Sequence, residues 1–225
     1  MPRTVIFDLD GTLVDTPKGI VKTFLAVLKE MGYDAVNPDA VRETIGMPLE
    51  KAFGDLLGMA ASSPLVTQAI KQYQALFKEI VLPNAKSLVF EDVDIGLQSL
   101  RERGISLAIA TSKIYASAES LLKAAGLMDY FDIVLGADQV KNRKPDPEMG
   151  LMIMSHLKSV PEETIMVGDT THDLLMGKEA GMKTIAVTYG VHDVDLLESA
   201  GPTKIVHHFS DVVSEVELMY GLVGV

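Results

Sequence analysis

The chain has 225 residues, 48% of them hydrophobic, and a formal net charge of −11 at pH 7. Such a length buries roughly 70% of the surface exposed on unfolding, enough for one large domain or a domain carrying a smaller inserted one. The acidic balance argues against a nucleic-acid surface, which needs a basic face to replace counterions on phosphates, and the absence of cysteine removes disulfides, thiolate zinc sites and thiol catalysis.

Residues 4–7, Thr4-Val5-Ile6-Phe7, read as a buried strand that runs straight into Asp8-Leu9-Asp10-Gly11-Thr12. Gly11 supplies the turn, and two carboxylates are displayed at the strand's carboxyl end, where open parallel α/β sheets bind ligands. Asp15-Thr16-Pro17 offers a capping side chain followed by proline, predicting a helix through Ile20, Phe24, Val27, Leu28 and Met31 to the Gly32 stop. Further helices are expected at about 38–45, 48–57 and 64–79, with no strand among them. Residues 15–83 thus form an all-helical insert, and residues 1–14 and 84–225 form the remaining core.

From about residue 93 helix and strand alternate. A helix around Leu97 and Leu100 stops at Gly104, and Ile105–Ala110 reads as a buried strand ending in Thr111-Ser112-Lys113. A helix at about 114–125, a short strand at Ile133–Leu135 and a helix at about 147–157 follow. Thr164–Gly168 is a strand ending in Asp169-Thr170-Thr171-His172-Asp173, and a last strand near 184–188 closes the regular section. The fold class is therefore α/β, a doubly wound, Rossmann-like parallel sheet covered on both faces, with the helical insert after its first strand. The 12 methionines read as adaptable core filling.

Three strands end in polar clusters: Asp8 with Asp10, Thr111-Ser112-Lys113, and Asp169 with Asp173. Right-handed crossovers bring all three to one sheet edge. A hydroxyl suits a phosphoryl oxygen, a lysine offsets charge, and oxygen ligands without Cys or a His pair favour a hard cation such as magnesium. Two acids as close as Asp8 and Asp10 repel, and a divalent cation would keep both ionised. These are parts for phosphoryl transfer.

Asp8-Leu9-Asp10-Gly11-Thr12, Thr111, Lys144-Pro145-Asp146-Pro147-Glu148 and Gly168-Asp169-Thr170-Thr171-His172-Asp173 resemble, in order, the four motifs of the haloacid dehalogenase superfamily. The match is to its phosphatase branch, nearest the phosphoglycolate phosphatase-like members with a helical cap, and it spans residues 4 to about 190. The resemblance implies that Asp8 is the nucleophile forming an aspartyl-phosphate and that Asp10 is the general acid and base. It also implies magnesium held by Asp8, the Asp10 carbonyl and Asp169. Asp173 would orient a ligand or Lys144, Thr111 and Ser112 would bind phosphate, and Lys144 would offset negative charge on the transferred group. The insert becomes the cap, whose Thr44, Gly46, Met47 and Lys51 are candidates for substrate specificity. Asp10 argues against dehalogenase chemistry, where the second aspartate is missing, and the first motif differs from that of the phosphonoacetaldehyde-cleaving branch.

Two positions depart from the pattern. Lys113 stands where many relatives have asparagine, and it is as readily a surface lysine as a phosphate contact. Asn84–Phe90 replaces a common proline-glycine return, with no function attached. Lys144 also reads as part of a basic loop with Lys141 and Arg143, and Asp173 as a first-turn acid favoured by the helix dipole. His172 and His207-His208 read as surface residues. The functional expectation is a magnesium-dependent hydrolase of a small phosphorylated metabolite, such as phosphoglycolate or a sugar or nucleoside phosphate. Its alternatives are a β-phosphoglucomutase-type phosphomutase, an inorganic pyrophosphatase and a non-enzymatic phosphate-ligand sensor. No apolar stretch approaches the roughly 20 residues of a membrane span, and Met1-Pro2-Arg3-Thr4 leads to a carboxylate too soon for a signal sequence. A cytoplasmic monomer or homodimer is expected.

Overall fold

The computed structural model describes residues 2–222, and every residue of its first strand, β1 (Thr4–Phe7), is buried. Side chains alternate across a strand, so Val5 and Phe7 join the larger apolar cluster on one face of the sheet and Ile6 the smaller one on the other. That demand for apolar residues on both faces is why the segment reads as an unbroken hydrophobic run. Five further strands follow: β2 (Ser106–Ala110), β3 (Ile133–Leu135), β4 (Thr164–Gly168), β5 (Lys183–Val187) and β6 (Lys204–Val206). All pair in parallel in the order β3-β2-β1-β4-β5-β6. The direction of winding reverses between β1 and β4, so the crevice at a topological switch point opens between the ends of these two strands. Phe7 is in register with Val167, and the Asp8 N–H continues the ladder to the Val167 carbonyl at 2.9 Å.

The first four helices after β1 are α1 (Pro17–Glu30), α2 (Pro38–Arg42), α3 (Leu49–Leu57) and α4 (Pro64–Ile80). Their apolar stripes converge on an aromatic stack, with Phe24 and Phe53 rings 4.4 Å apart, Phe24 and Tyr73 4.7 Å, and Tyr73 and Phe77 5.9 Å. Asn37 caps α2 by accepting from the Asp39 N–H at 2.9 Å. Thr16 precedes α1 as expected but does not cap it. The chain returns through a 3₁₀ segment, Leu82–Leu88. Asn84–Phe90 thereby acquires a structural role: the Asp15 N–H donates to the Leu88 carbonyl at 2.6 Å, Val14 bridges Val89 antiparallel, and the Phe90 N–H reaches the Leu13 carbonyl at 3.1 Å. The outgoing and returning connections of the insert are laced together at its base.

The remaining helices, α5 (Val93–Glu102), α6 (Tyr115–Ala125), α7 (Glu148–Leu157), α8 (Thr171–Glu179), α9 (Val194–Ser199) and α10 (Phe209–Met219), cover the sheet. Met149, Met154, Met166, Met176 and Met182 fill the smaller cluster, where unbranched side chains adapt to irregular gaps. The regular structure does not end near residue 188 as the sequence reading expected. The edge strand β6 has three residues, only Val206 of them buried, so it presents no apolar run. Helix α10 buries Phe209, Val212 and Val216 at helical spacing, a periodicity that sequence reading passed over. No helix among the described residues is long and apolar enough to cross a membrane.

Candidate active site

The three polar clusters do meet at the carboxyl edge of the sheet. Lys144, on the loop before α7, is 6% exposed and stretches its ammonium to two carboxylates, 2.6 Å from Asp8 Oδ1 and 2.5 Å from Asp173 Oδ1. Asp173 in turn accepts from the Thr170 N–H at 3.0 Å and the Thr170 hydroxyl at 2.7 Å through its other oxygen. It therefore ties the first turn of α8 to Lys144. Asp169 is fully buried, its Oδ1 accepting from the Thr12 hydroxyl at 2.8 Å and its Oδ2 from the Val191 N–H at 2.8 Å. The fit around it is close: a Cβ on Gly11, where φ is +84°, or on Gly190 would lie 2.2 Å from Asp169 Oδ2. Both positions therefore require glycine.

Asp10 is held apart from this group. Thr16 donates its hydroxyl to Asp10 Oδ1 at 2.5 Å, in place of capping α1, and Lys113 Nζ lies 3.2 Å from the same oxygen. Lys113 is thus largely withdrawn from solvent beside Asp10 rather than a solvated surface lysine. Its ammonium also sits 4.1 Å from the centre of the Phe77 ring, a cation–π contact across to α4.

The two sides of the site enclose a cavity whose lining includes Asp8, Asp10, Thr111, Ser112, Lys113, Lys144 and Asp173 from below and Thr44, Gly46 and Met47 from above. Thr111 is buried, and its hydroxyl oxygen accepts from the Lys113 N–H at 3.2 Å. The Ser112 hydroxyl, expected to face phosphate, donates to the Gly46 carbonyl at 2.7 Å and so joins the two sides. Arg42 donates to the Gly190 carbonyl at 3.2 Å and Arg143 pairs with Glu50 at 2.9 Å, adding two further ties. Lys51 does not reach the cavity. It is exposed and pairs with Asp55 at 2.7 Å, because Ala52, Phe53 and Leu57 set the buried face of α3 and Glu50 takes the cavity side. His172, read as a surface residue, is half-buried, with its ring 6.2 Å from that of His192 and no hydrogen-bond partner for Nδ1. His207 and His208 are exposed as expected.

The electrostatics are those of crowded acids. Burial, with smaller contributions from Asp173 and Asp10, lifts the Asp8 carboxyl to about 7 against the lowering pull of Lys144. Burial, then Asp8 and Asp173, holds Asp169 well above the usual carboxylate range. Burial works against the charge on Lys144, but Asp173 and Asp8 more than reverse it and keep the ammonium above its ordinary value. One ammonium therefore answers three buried carboxylates, Asp8, Asp169 and Asp173, each with an oxygen within 4.8 Å of the others. A cation at this spot fits the donor set, and all-oxygen donors fit a hard divalent ion. The Asp10 carboxylate lies outside the group.

The haloacid dehalogenase-like hydrolase family matches residues 5–187. A relative from Dickeya dadantii, the probable phosphatase IndB, is 54% identical over 99% of this chain and 96% of its own length. A pyrophosphatase, PpaX, from Halalkalibacterium halodurans is 35% identical over 95% and 96%. A haloacid dehalogenase-like family hydrolase from Streptococcus pneumoniae superposes with a TM-score of 0.81 at 26% identity, covering 95% of this chain and 98% of that one. The chain belongs to the haloacid dehalogenase-like hydrolases.

Proposed function

We propose that the protein is a magnesium-dependent phosphatase that hydrolyses a small organic phosphomonoester through a phosphoryl group carried on Asp8. The observation that carries this reading is the arrangement of the two aspartates. Asp8 is 7% exposed on the cavity floor with one oxygen held by Lys144, and Asp10 is turned to its own partners, Thr16 and Lys113. Two carboxylates with separate environments can take separate roles. The free oxygen of Asp8 attacks phosphorus while the ester P–O bond breaks, and Asp10 gives its proton to the departing alkoxide oxygen. Asp10 then takes a proton from water, which attacks phosphorus and breaks the bond to Asp8, releasing phosphate and restoring both acids. Thr111 donates to a phosphoryl oxygen and Lys144 offsets charge on the equatorial oxygens. Magnesium would be held by Asp8, Asp169 and the Asp10 carbonyl and would supply positive charge against the phosphate and the carboxylates.

Residues 15–83 act as a cap over a core of residues 1–14 and 84–225. The laced connections at Val14 and Val89 are the base on which it moves, and the Ser112–Gly46 and Arg143–Glu50 ties close it over the substrate and exclude water. A pyrophosphatase is the second reading, favoured by the 35% identity to PpaX. The deciding experiment follows free phosphate and alcohol across a panel of phosphate esters with magnesium, with pyrophosphate alongside. Equal release of phosphate and alcohol is expected. Sugar-phosphate isomerisation without release would make the protein a mutase, release from pyrophosphate alone would make it a pyrophosphatase, and no turnover of esters or pyrophosphate would leave only the sensor.

The raised carboxyls also set how magnesium and pH combine. Asp8 rises from the ordinary carboxylate range to about 7 on folding, so its contribution to the stability of the metal-free protein is full below about pH 4 and is lost as pH climbs to about 7. Protons and the cation compete for the same oxygens. Magnesium should therefore raise the melting temperature more at pH 8 than at pH 5, read by calorimetry in paired buffers. Equal shifts at the two pH values would remove these carboxylates from the metal site.

A further inference from the structure

The cavity wall opposite Asp8 bears on the substrate class, and the argument rests on the phosphatase reading. Ile20 and Phe24 of α1, Ile45 of the turn after α2, and Ile70, Tyr73 and Phe77 of α4 form most of that wall. The rings of Phe24, Tyr73 and Phe77 continue the aromatic stack of the helices into the cavity. Among lining residues of the 15–83 segment, the charged one is Glu50, an acid.

Among the described residues the cations of the cavity are three, Lys113, Arg143 and Lys144, and each already faces a carboxylate. Lys113 pairs with Asp10 at 3.2 Å, Arg143 with Glu50 at 2.9 Å, and Lys144 with Asp8 and Asp173 at 2.6 and 2.5 Å. Beyond the phosphoryl group being transferred, a second phosphoryl or a carboxylate would enter an apolar pocket with no unpaired cation to meet it, at the cost of its hydration. A polyhydroxylated sugar would have the Gln74 amide and the Tyr73 hydroxyl to meet it on this wall, but the Thr44 hydroxyl already donates to the Val41 carbonyl at 2.7 Å, and the sugar's hydroxyls would otherwise face isoleucines and rings. An uncharged ring instead gains burial and offset or edge contact with the aromatic wall.

We propose that the leaving group is an uncharged alcohol carrying an apolar ring face, and that neither pyrophosphate nor a carboxylate-bearing ester such as phosphoglycolate is the preferred substrate. The wall selects the ring and the carboxylate–lysine floor takes the phosphate. This separates the chain from the PpaX-like reading on chemical grounds, because transfer from pyrophosphate leaves a charged phosphate facing Glu50 and the isoleucines.

The test uses the intact wild-type protein with magnesium and measures phosphate release from benzyl phosphate, 2-phosphoglycolate and pyrophosphate. The expected kcat/KM for benzyl phosphate exceeds each of the others by about ten-fold or more, the scale of burying one ring. Pyrophosphate carries the better leaving group, so intrinsic reactivity works against the proposal. Benzylphosphonate should inhibit with a Ki about ten-fold below that of phosphonoacetate, a comparison that needs no variant. Ile70→Lys, at a half-buried wall position, should narrow or reverse the preference by adding an unpaired cation. Equal or better turnover of phosphoglycolate would overturn the leaving-group proposal while leaving the phosphatase reading intact, and a preference for pyrophosphate would overturn it in favour of the pyrophosphatase. Absence of phosphate release from any ester would overturn both.

Discussion

Asp8→Asn is expected to lower kcat by about four orders of magnitude or more, because an amide cannot carry the phosphoryl group and no neighbouring acid can replace it. Asp173 has one oxygen on Lys144 and the other on Thr170, and Asp169 is held by Thr12 and Val191 behind the nucleophile. The same substitution should stabilise the metal-free protein at pH 8. Asp8 is lifted to about 7 chiefly by burial, so at that pH the folded state holds an anion it would rather protonate, and asparagine removes it. Loss of activity with a higher melting temperature separates a chemical role from a structural one. Acid-quenched wild type, incubated with substrate, should carry one phosphoryl group on the peptide containing Asp8. A variant retaining a tenth of the wild-type kcat, or label on another peptide, would rule out Asp8 as nucleophile.

The clarity of the sequence at this edge has a physical source. A parallel strand must be apolar on both faces, so the change from Val5-Ile6-Phe7 to Asp8, or from Val167-Gly168 to Asp169, marks a strand end and a ligand edge together. Less visible were partners that act through hydroxyls and backbone atoms. Thr12 and Val191 bind Asp169 from positions 157 and 22 residues away, and nothing local announces such pairings. Tyr189-Gly190-Val191 did carry a signal, since it follows the buried strand β5, and the strand-end rule applied there would have singled it out. Thr16 looked like a helix cap because hydroxyls favour that position, yet a carboxylate at 2.5 Å is the stronger acceptor. Lys51 was misassigned by one residue of helix phase: 100° of rotation puts Glu50, not Lys51, toward the cavity. The missing terminal strand and helices were lost to the shortness of β6, which left α10 without an evident sheet to cover.

Lys144→Met should produce the largest loss of stability among the site substitutions. The side chain is buried between Asp8 and Asp173, and methionine keeps most of its volume while removing the cation facing three mutually repelling carboxylates. Breaking a buried pair on one side costs about 3–5 kcal/mol, which for a chain of this size lowers the melting temperature on the order of 10 °C. The penalty has a signature that simple misfit lacks. With the ammonium gone, Asp8 loses the partner that lowers it and binds its proton more tightly in the folded state, so the variant's deficit is largest at pH 8 and shrinks toward pH 5. Saturating magnesium should recover part of the deficit at pH 8, since a divalent ion answers the same charge. Activity should fall by about two to three orders of magnitude even where the fold is restored, because the charge on the transferred phosphoryl group loses its fixed partner. A Lys144→Met protein with wild-type melting temperature at pH 8 and kcat within a few-fold of normal would show that the lysine balances no charge in this site. A deficit that is equal at both pH values would assign its effect to packing.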